Sequence, residues 1–470
     1  MLDNPLAPPW LIRPGDANAL ESPLWPATAQ RTPSGELAIG GVSASRLAAD
    51  YGTPLYVVDE ADARARAART REAFVSAFAA HGSSATVYYA SKALLTTEVA
   101  RWMVEAGLRL DVASGGELAV ALAAGVDPAL LGLHGNNKSL AEIDRAVAAG
   151  VGTIVLDSLE EVERVADAAQ RHDRTQSVRL RINSGVHAHT HEYLATARED
   201  QKFGIPLADA GDAVGAIRAR PSLRFLGLHS HIGSQIFRLD GFLEAARRLL
   251  AVHAELLAGG DVPELNLGGG FGIAYVVGDA PPAIEDIATG LAEAVAGVCR
   301  ELSIPMPAVA VEPGRTIVGP AGVTLYEVGT TKDVAVALDD GGSAVRRYVS
   351  VDGGMSDNAR PALYGADYSV RLASRSSAVD PVLVRLAGKH CESVVQADWL
   401  PGDVAAGDLV AVPATGAYCF SLASNYNYLV RPAVVAVRDG TARTLVRRET
   451  EHDLLRRDTG YNPIDQGVSE

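Results

Sequence analysis

The sequence is poor in cysteine and lacks a long apolar run. Its 470 residues include 3 cysteines, too few for a disulfide framework in so long a chain, which predicts a reducing compartment. No stretch of about 18 apolar residues occurs, so we expect no membrane span. The opening residues also lack the basic and apolar segments of a secretory signal. Together these absences predict a cytoplasmic protein.

Positive charge is scarce as well. The chain has 42 Lys and Arg against 57 Asp and Glu, a net charge of −15, and its basic residues form no run longer than a pair. We therefore expect neither nucleic acid nor an anionic membrane as a partner. The hydrophobic share of 48% and the charged share of 21% are those of a globular protein, which excludes a disordered or fibrous chain.

From Thr53 to about Val311, short apolar runs of β type alternate with Ala- and Leu-rich stretches at helical spacing. This alternation predicts parallel strands joined by crossover helices, and eight such units close a (β/α)8 barrel of the TIM type. An earlier run, Leu55–Asp59, is expected to lead into the helix before the first strand. The eight candidate strands are Thr86–Ala90, Leu108–Ala113, Leu130–His134, Thr153–Asp157, Val178–Asn183, Phe225–His231, Glu264–Gly268 and Ala308–Glu312.

The sequence pattern changes after Gly322. Strand-like runs are separated there by Pro, Gly and Asp turns, and helical stretches are scarce. This pattern predicts a second, β-rich domain of the sandwich or barrel type. We expect an N-terminal arm (1–52) that packs partly with the β domain, an α/β barrel (53–321) and a C-terminal β domain (322–470). The strands expected in the β domain are Val323–Val328, Arg347–Val351, Val382–Leu386, Leu409–Val412 and Ala433–Val437.

Polar residues follow the ends of the predicted barrel strands, where a barrel collects its catalytic groups. Lys92 follows the first strand, where desolvation would favour Schiff-base formation, although an isolated lysine is more often a surface residue. Three glycines, Gly268–Gly270, follow the seventh strand and predict either a phosphate-binding loop or a flexible turn. Their spacing is not that of a dinucleotide-binding fingerprint.

Two histidine-rich segments leave two kinds of chemistry open. His229 and His231 point to one face if the sixth strand continues, and such a pair can bind a metal or place one imidazole on a cofactor ring. Ser234 offers a nearby hydroxyl to a phosphate. The upstream segment His187–Glu192 (HAHTHE) resembles the metal-binding motif of barrel hydrolases. Structural, hydrogen-bonded histidines are the other interpretation of both segments.

Charged and aromatic residues elsewhere add candidates. Glu312 follows the eighth strand, where a carboxylate can keep a pyridine nitrogen protonated, and Arg315 can hold a carboxylate or phosphate. A structural ion pair at a turn is the alternative. Cys391 would be an inert thiol unless it lies at a rim or an interface. The candidates in the β domain are Arg360, Tyr364, Cys391, Glu392 and Tyr418.

An ordered set of motifs between about Gly35 and Glu449 carries a resemblance to a known family. The motifs are YYASKA, LDVASGGEL, HGNNKS, AHTHEY, QKFG, HSHIGSQ, LGGGFG, EPGR, DGGMSDNARPALYGA, KHCES and GAYCFSLASNYN. In this order they resemble the diaminopimelate decarboxylases, enzymes of the alanine racemase-like fold that depend on pyridoxal 5′-phosphate. The resemblance implies decarboxylation of meso-2,6-diaminopimelate to L-lysine by a cytoplasmic homodimer.

The resemblance also implies roles for individual residues. Lys92 would hold the cofactor covalently, His231 would stack on its ring, and Cys391 of the partner subunit would donate a proton. Further cofactor contacts are implied for Ser234, Gly270, Glu312, Pro313, Gly314, Arg315 and Tyr418. Substrate contacts are implied for Arg315, Arg360, Tyr364, Glu392 and Tyr418. No metal is implied, since the HAHTHE segment belongs to the family pattern.

The chain departs from the family pattern after Cys391. Family members commonly carry an aspartate two residues beyond CES, where this chain has Val395, and the segment up to Trp399 is shorter. We therefore expect a differently shaped loop around the donor thiol. Two other functions stay open: a related pyridoxal enzyme acting on D-ornithine, D-lysine or carboxynorspermidine, and a metal-dependent barrel hydrolase. Arg360 and Glu392 suit the second carboxylate and ammonium of meso-diaminopimelate, which favours the first function.

Overall fold

The computed structural model describes residues 4–186 and 202–461. The chain forms two compact units. The barrel unit comprises Arg64–Ile273 and Ala280–Ile317, and the β unit comprises Met1–Ala63, Ala274–Asp279 and Val318–Glu470. Within the described residues, no helix is long and apolar enough to cross a membrane.

The barrel unit contains a closed ring of parallel strands, which confirms the predicted fold class. Each strand pairs with the next in the chain, and the eighth pairs with the first. In the described part of the chain, barrel strands 1 to 8 are Ala85–Ala90, Arg109–Val112, Leu131–Leu133, Thr153–Leu156, Gln176–Asn183, Leu223–His229, Glu264–Asn266 and Ala308–Val311. A short strand at Ile205–Pro206 also pairs with strand 5.

Helices alternate with the barrel strands: Glu60–Ala79 precedes strand 1, Arg315–Val318 follows strand 8, and the others are crossovers between strands. Helix Leu159–Arg171 shows why they form: Val162, Val165, Ala166 and Ala169 recur at helical spacing and are buried on one face. Serine residues begin several of these helices by accepting a backbone N–H three residues on, which satisfies a donor that the helix leaves open. The helices are Glu60–Ala79, Thr97–Glu105, Gly115–Ala123, Leu140–Ala149, Leu159–Arg171, Ala210–Arg218, Asp240–Leu256, Ile284–Leu302 and Arg315–Val318.

The β unit is rich in strands, as the change of pattern after Gly322 predicted. Its strands are Gln30–Arg31, Leu37–Ile39, Val42–Ser43, Leu55–Asp59, Gly322–Ala337, Ser343–Val351, Arg371–Leu372, Pro381–Ala387, Ser393–Pro401, Leu409–Pro413, Ala433–Arg438 and Thr441–Val446. Its helices are Ala44–Tyr51, Arg360–Tyr364 and Glu451–Leu455. The strands that the sequence did not predict after Gly322 are Arg371–Leu372, Ser393–Pro401 and Thr441–Val446.

The strand Leu55–Asp59 belongs to the sheet of the β unit. It pairs antiparallel with Gly322–Ala337 and parallel with Ala433–Arg438. All of its residues are buried, so its apolar run carries no alternation that would have revealed its neighbours. The sequence placed it only as a lead into the first barrel helix. Its pairing instead ties the chain just after the N-terminal arm into the β unit.

The N-terminal arm contributes to the core of the β unit. Leu24, Trp25 and Leu37 pack in one buried apolar cluster with Val323 and Val435. Burial of such side chains stabilises the folded state by about 1.5 to 3 kcal/mol each. Residues 4–29 form no helix or strand, so the first part of the arm packs into the β unit as irregular chain.

Candidate active site

A cavity of about 460 Å³ lies at the carboxyl ends of the barrel strands. Lys92, Asp111, His134, His231 and Glu312 are among the side chains that line it. These residues follow different strands, and the ring of parallel strands brings their ends to one rim. The predicted clustering of polar groups at the barrel mouth is therefore confirmed.

Lys92 lies in a short turn, Ser91–Ala93, directly after barrel strand 1. Its neighbours Ser91 and Ala93 are buried, while the Lys92 side chain is exposed and lines the cavity. This differs from the desolvated setting that the sequence suggested. An amine open to the cavity is within reach of a carbonyl group that enters it.

Glu312 follows barrel strand 8 and is buried among nitrogen-bearing side chains. Asn266 Nδ2 donates to Glu312 Oε1 at 2.7 Å, and His229 Nε2 lies 3.0 Å from the same oxygen. His134 Nε2 lies 3.5 Å from Oε1. Burial alone would raise the pKa of the Glu312 carboxyl, but His229 and His134 outweigh it and hold the pKa well below its ordinary value. The site therefore keeps Glu312 as an anion.

Asp111, at the end of barrel strand 2, faces the same group. Its Oδ1 lies 3.1 Å from His134 Nε2. Both carboxyl oxygens are buried without a hydrogen-bond partner among the described residues. Burial and the nearby Glu312 raise the pKa of Asp111 well above its ordinary value. The cavity therefore contains an ionised carboxyl, Glu312, close to a second carboxyl, Asp111, that tends to keep its proton.

His231 and His229 make different contacts in the cavity. Barrel strand 6 ends at His229, so the condition for the two imidazoles to share a face is not met. His231 Nδ1 accepts the Gly269 N–H at 3.3 Å, whereas His229 contacts Glu312. Burial and the charge of Lys92 lower the pKa of His231 to about 3, so its ring is neutral at ordinary pH.

One group of side chains in the cavity has a spacing that suits a metal ion. Nitrogens of His134 and His229 and a carboxyl oxygen of Glu312 lie within 4.8 Å of one another, a spacing that would also admit a metal ion. The upstream segment His187–Glu192 lies outside the described residues. The distances alone therefore fit both metal binding and contact with a cofactor ring at this end of the cavity.

The glycine loop after barrel strand 7 packs tightly against its neighbours. A Cβ on Gly269 would come 2.0 Å from the Glu312 carbonyl oxygen, and one on Gly270 would come 2.2 Å from the Gly233 carbonyl oxygen. Gly270 also has a φ of +107°, which side-chain-bearing residues rarely adopt. The loop is thus a fixed, close-packed element, contrary to a merely flexible turn.

Other residues predicted to hold a phosphate lie around this loop. Arg315 Nη2 donates to Ser234 Oγ at 2.8 Å. The Ala90 N–H donates to the Pro313 carbonyl at 3.0 Å, and a Cβ on Gly314 would come 3.0 Å from the Ala90 carbonyl oxygen. The segment Glu312–Arg315 therefore joins the end of strand 1 to the loop after strand 6.

The resemblance makes pyridoxal phosphate the expected ligand of this loop, and the Gly270→Ala variant is then expected to lose affinity for it by about tenfold or more. The added Cβ must displace the Gly233 backbone and strain the Gly270 φ, which costs about 1 to 3 kcal/mol. Titration of the apoprotein by absorbance or fluorescence measures the affinity. Gly82→Ala is a suitable control, because its φ is also positive while a Cβ there meets nothing within 4 Å. Equal affinities for the two variants would contradict the assignment.

The remaining predicted residues lie in the β unit. Arg360 is 5% exposed, donates to the Tyr368 hydroxyl, and has its guanidinium 4.3 Å from the centre of the Tyr275 ring. No ion pair joins Arg360 to an acidic side chain in the described part of the chain. A buried cation without an acid is suited to an anionic ligand.

The other candidates of the β unit differ in exposure. Tyr364 is 68% exposed, the Cys391 thiol is exposed, and Glu392 is half-buried. Tyr418 has a φ of +63°, an uncommon backbone conformation that tends to occur at functional positions. These positions are compatible with surface or interface roles for Tyr364 and Cys391.

The sequence argument gave no role to Asp111, His134 or Asn266, which surround Glu312. Each is a polar residue at or just beyond the end of an apolar barrel strand, and that signal was visible in the sequence. What it could not reveal is that they converge on one carboxylate.

Comparisons with known proteins agree with this geometry. A family model described as the pyridoxal-binding domain of pyridoxal-dependent decarboxylases matches residues 64–319. Diaminopimelate decarboxylase of Mycobacterium tuberculosis is 51% identical over 444 residues, covering 92% of this chain and 97% of the relative. That of Bacillus subtilis is 42% identical over 450 residues, covering 94% and 99%. The M. jannaschii enzyme solved with L-lysine is 30% identical with a TM-score of 0.85, covering 94% and 99%.

Proposed function

Because this chain belongs to the diaminopimelate decarboxylase family of pyridoxal-dependent enzymes, we propose that it converts meso-2,6-diaminopimelate to L-lysine and CO2, the last step of lysine biosynthesis. One observation carries the proposal: Lys92, His231 and Glu312 line a single cavity inside the segment that matches the pyridoxal-binding domain. Pyridoxal 5′-phosphate is the cofactor of such a site.

The residues of the cavity fit this cofactor. When bound, pyridoxal phosphate supplies an electron sink for the carbanion that loss of CO2 leaves behind. Lys92 offers the amine that holds the cofactor, and its side chain is open to the cavity. His231 presents a neutral imidazole to the ring, which its lowered pKa favours. Glu312, kept as an anion, holds the ring nitrogen protonated.

The phosphate end is assigned to the loops after strands 6, 7 and 8. Ser234 and Arg315, already in contact, offer a hydroxyl and a guanidinium. Gly270 and Gly314, with Pro313 between Glu312 and Gly314, let the backbone approach the phosphate closely, which close packing at both glycines supports. Tyr418, at its positive φ, is a further cofactor contact in this proposal.

Substrate recognition is assigned to Arg315, Arg360, Tyr364, Glu392 and Tyr418. Arg360, buried without an acidic partner among the described residues, is suited to the distal carboxylate. Glu392 is suited to the distal ammonium, and one of its carboxyl oxygens is buried without a hydrogen bond in the described structure. A substrate that lacks the distal carboxylate would leave the Arg360 charge unpaired.

Cys391 is assigned as the donor of the proton that replaces CO2 on the substrate α-carbon. Its exposed thiol supports this role only if a second subunit covers it, so the proposal includes a homodimer in which Cys391 serves the partner's cavity. Exposed aromatic and apolar side chains of the β unit support such an interface: Leu363 is 60%, Tyr364 68% and Tyr428 74% exposed. We place this dimer in the cytoplasm.

The three-part division of the chain also stays part of the proposal. It consists of an arm (1–52), a cofactor-binding barrel (53–321) and a β domain (322–470) of the sandwich or barrel type. Support comes from the barrel strands, which all fall between residues 85 and 311. The strand Leu55–Asp59 would then lie inside the barrel segment of the chain but in the sheet of the β unit.

A substrate panel tests the proposed function. We expect kcat/KM for meso-diaminopimelate to exceed that for D-lysine and D-ornithine by about a hundredfold or more, because those substrates leave the Arg360 charge without a carboxylate. Release of CO2 and formation of L-lysine are measured with the purified protein and added pyridoxal phosphate. A preference for D-lysine, D-ornithine or carboxynorspermidine would assign the chain to a related pyridoxal decarboxylase.

One observation favours a second candidate, a metal-dependent hydrolase: the spacing of His134, His229 and Glu312. Analysis of the purified protein for bound metal and bound pyridoxal distinguishes the two. We expect pyridoxal in near-stoichiometric amount. Stoichiometric zinc without pyridoxal would instead support the hydrolase.

A further inference from the structure

The two oxygens of the Glu312 carboxyl are held unequally. Oε1 faces three nitrogens: Asn266 Nδ2 at 2.7 Å, His229 Nε2 at 3.0 Å and His134 Nε2 at 3.5 Å. Oε2 faces His229 Nε2 alone among the described residues, at 3.2 Å. Among the described residues, Asn266 donates the hydrogen bond that Oε1 accepts, the His229 ring bonds to Oε2, and His134 Nε2 has no hydrogen-bond partner. Oε1 is therefore the more crowded oxygen, while Oε2 keeps capacity to accept another hydrogen bond.

Asn266 is held so that its amide must donate to Glu312. The Gly268 N–H donates to Asn266 Oδ1 at 2.8 Å, which fixes Oδ1 as the acceptor and turns Nδ2 toward Glu312 Oε1. Asn266 is fully buried at the end of barrel strand 7 and does not line the cavity. Its contact with Glu312 is therefore made through the protein interior.

His134 packs beside Glu312 and Asp111, although its Nε2 has no hydrogen-bond partner among the described residues. Asp111 Oδ1 lies 3.1 Å from His134 Nε2, and the His134 ring meets the His229 ring edge-on at 5.1 Å. Gly132 leaves room for this arrangement, because a Cβ there would come 2.7 Å from Asp111 Oδ1. His134 therefore lies between the two carboxyl groups of the cavity.

We propose that Asn266, by its hydrogen bond, and His134, by packing against Oε1, are positioning residues that fix Glu312 so that Oε2 is the oxygen presented to the cofactor ring nitrogen. The inference rests on the proposed role of Glu312. Neither residue reacts; each acts by preventing rotation of the carboxylate. A carboxylate free to rotate would present a mixture of oxygens and align poorly with the ring.

Two variants test the proposal. Asn266→Ala is expected to weaken pyridoxal phosphate binding by about tenfold to a hundredfold, the usual effect of losing a hydrogen bond to a charged group. His134→Gln is expected to have a smaller effect, because its nitrogen lies farther from Oε1. Both should change the ratio of the visible to the near-ultraviolet band of the bound cofactor, which reports the setting of the ring nitrogen. They should lower kcat while leaving KM nearly unchanged.

The decisive comparison repeats both variants in a Glu312→Gln background. If they act through the Glu312 carboxylate, their effects on affinity and on the band ratio should largely disappear there. Effects of equal size in both backgrounds, or an unchanged affinity and band ratio in the single variants, would overturn the proposal. His134→Gln keeps the test valid if Asn266→Ala fails to fold.

Asn183→Ala is the matched control. Asn183 ends barrel strand 5, which strand 6 separates from strand 7, and its Oδ1 accepts the Gly185 N–H at 3.0 Å, the same short tether that Asn266 makes to Gly268. Its loss should lower thermal stability and leave the band ratio unchanged. If the unaltered chain binds no pyridoxal phosphate, the proposed function itself fails, and that result is distinct from binding that the variants do not alter.

Discussion

The Lys92→Ala variant is expected to lose the visible absorption of bound pyridoxal and to retain less than about one thousandth of the kcat of the unaltered enzyme. Lys92 is the lysine that lines the barrel cavity, in a turn held by buried neighbours at the end of strand 1. Without its amine, the cofactor has no covalent attachment and no fixed position relative to Glu312 and His231. Absorbance of the purified variant and release of CO2 measure the two effects.

Lys332→Ala provides the control for this experiment. Lys332 is an exposed lysine on the long strand Gly322–Ala337 of the β unit, and its replacement should leave both spectrum and kcat unchanged. Persistence of the visible band in Lys92→Ala would show that another amine holds the cofactor. The family relation would then stand, but the assignment of Lys92 would be wrong.

The Cys391→Ala variant is expected to bind the cofactor normally and to lose kcat by about a hundredfold to ten-thousandfold, the usual range for removing a positioned proton donor. Its thiol is exposed, so the loss requires that a partner subunit covers it. Cys299→Ala is the control: Cys299 is buried in helix Ile284–Leu302, and burial raises its pKa and makes the thiol inert. That variant should keep its kcat.

Mixing two inactive variants tests the shared site directly. In a mixed dimer of Lys92→Ala and Cys391→Ala chains, one cavity combines an intact lysine with an intact thiol from the other chain. Random reassembly should therefore restore about a quarter of the full activity, because half of the dimers are mixed and each has one working site. No recovery would contradict a shared site. An unchanged kcat for Cys391→Ala alone would show that the altered loop before Trp399 has moved the thiol out of reach.

The barrel could be predicted from the sequence because its strands are short, continuous apolar runs between helical stretches. Thr153–Leu156 is an example: every residue is buried, and the run begins where it was predicted. The same property hid the place of Leu55–Asp59, since a run that is buried throughout gives no sign of which sheet it joins. The strand Ser393–Pro401 was missed, although it starts at the last residue of the CES motif.

Only part of the chemistry of the site could be predicted from the sequence. Lys92 and Glu312 could be proposed because each follows a strand at the rim and matches a family motif. The surroundings of Glu312 could not be predicted, because Asn266 lies 46 residues before it and His134 follows strand 3 on another part of the ring. Contacts between such distant positions are set by closure of the barrel, which no local pattern records.

The most direct test of the central claim is to reduce the protein with borohydride in the presence of pyridoxal phosphate and to map the modified peptide by mass spectrometry. Reduction fixes the cofactor to the lysine that holds it. The sequence has five lysines to choose from, Lys92, Lys138, Lys202, Lys332 and Lys389. We expect the pyridoxyl group on Lys92 alone, at the cavity that Glu312 and His231 line. A label on another lysine, or no label, would contradict the assignment of the barrel cavity as the site of the decarboxylase.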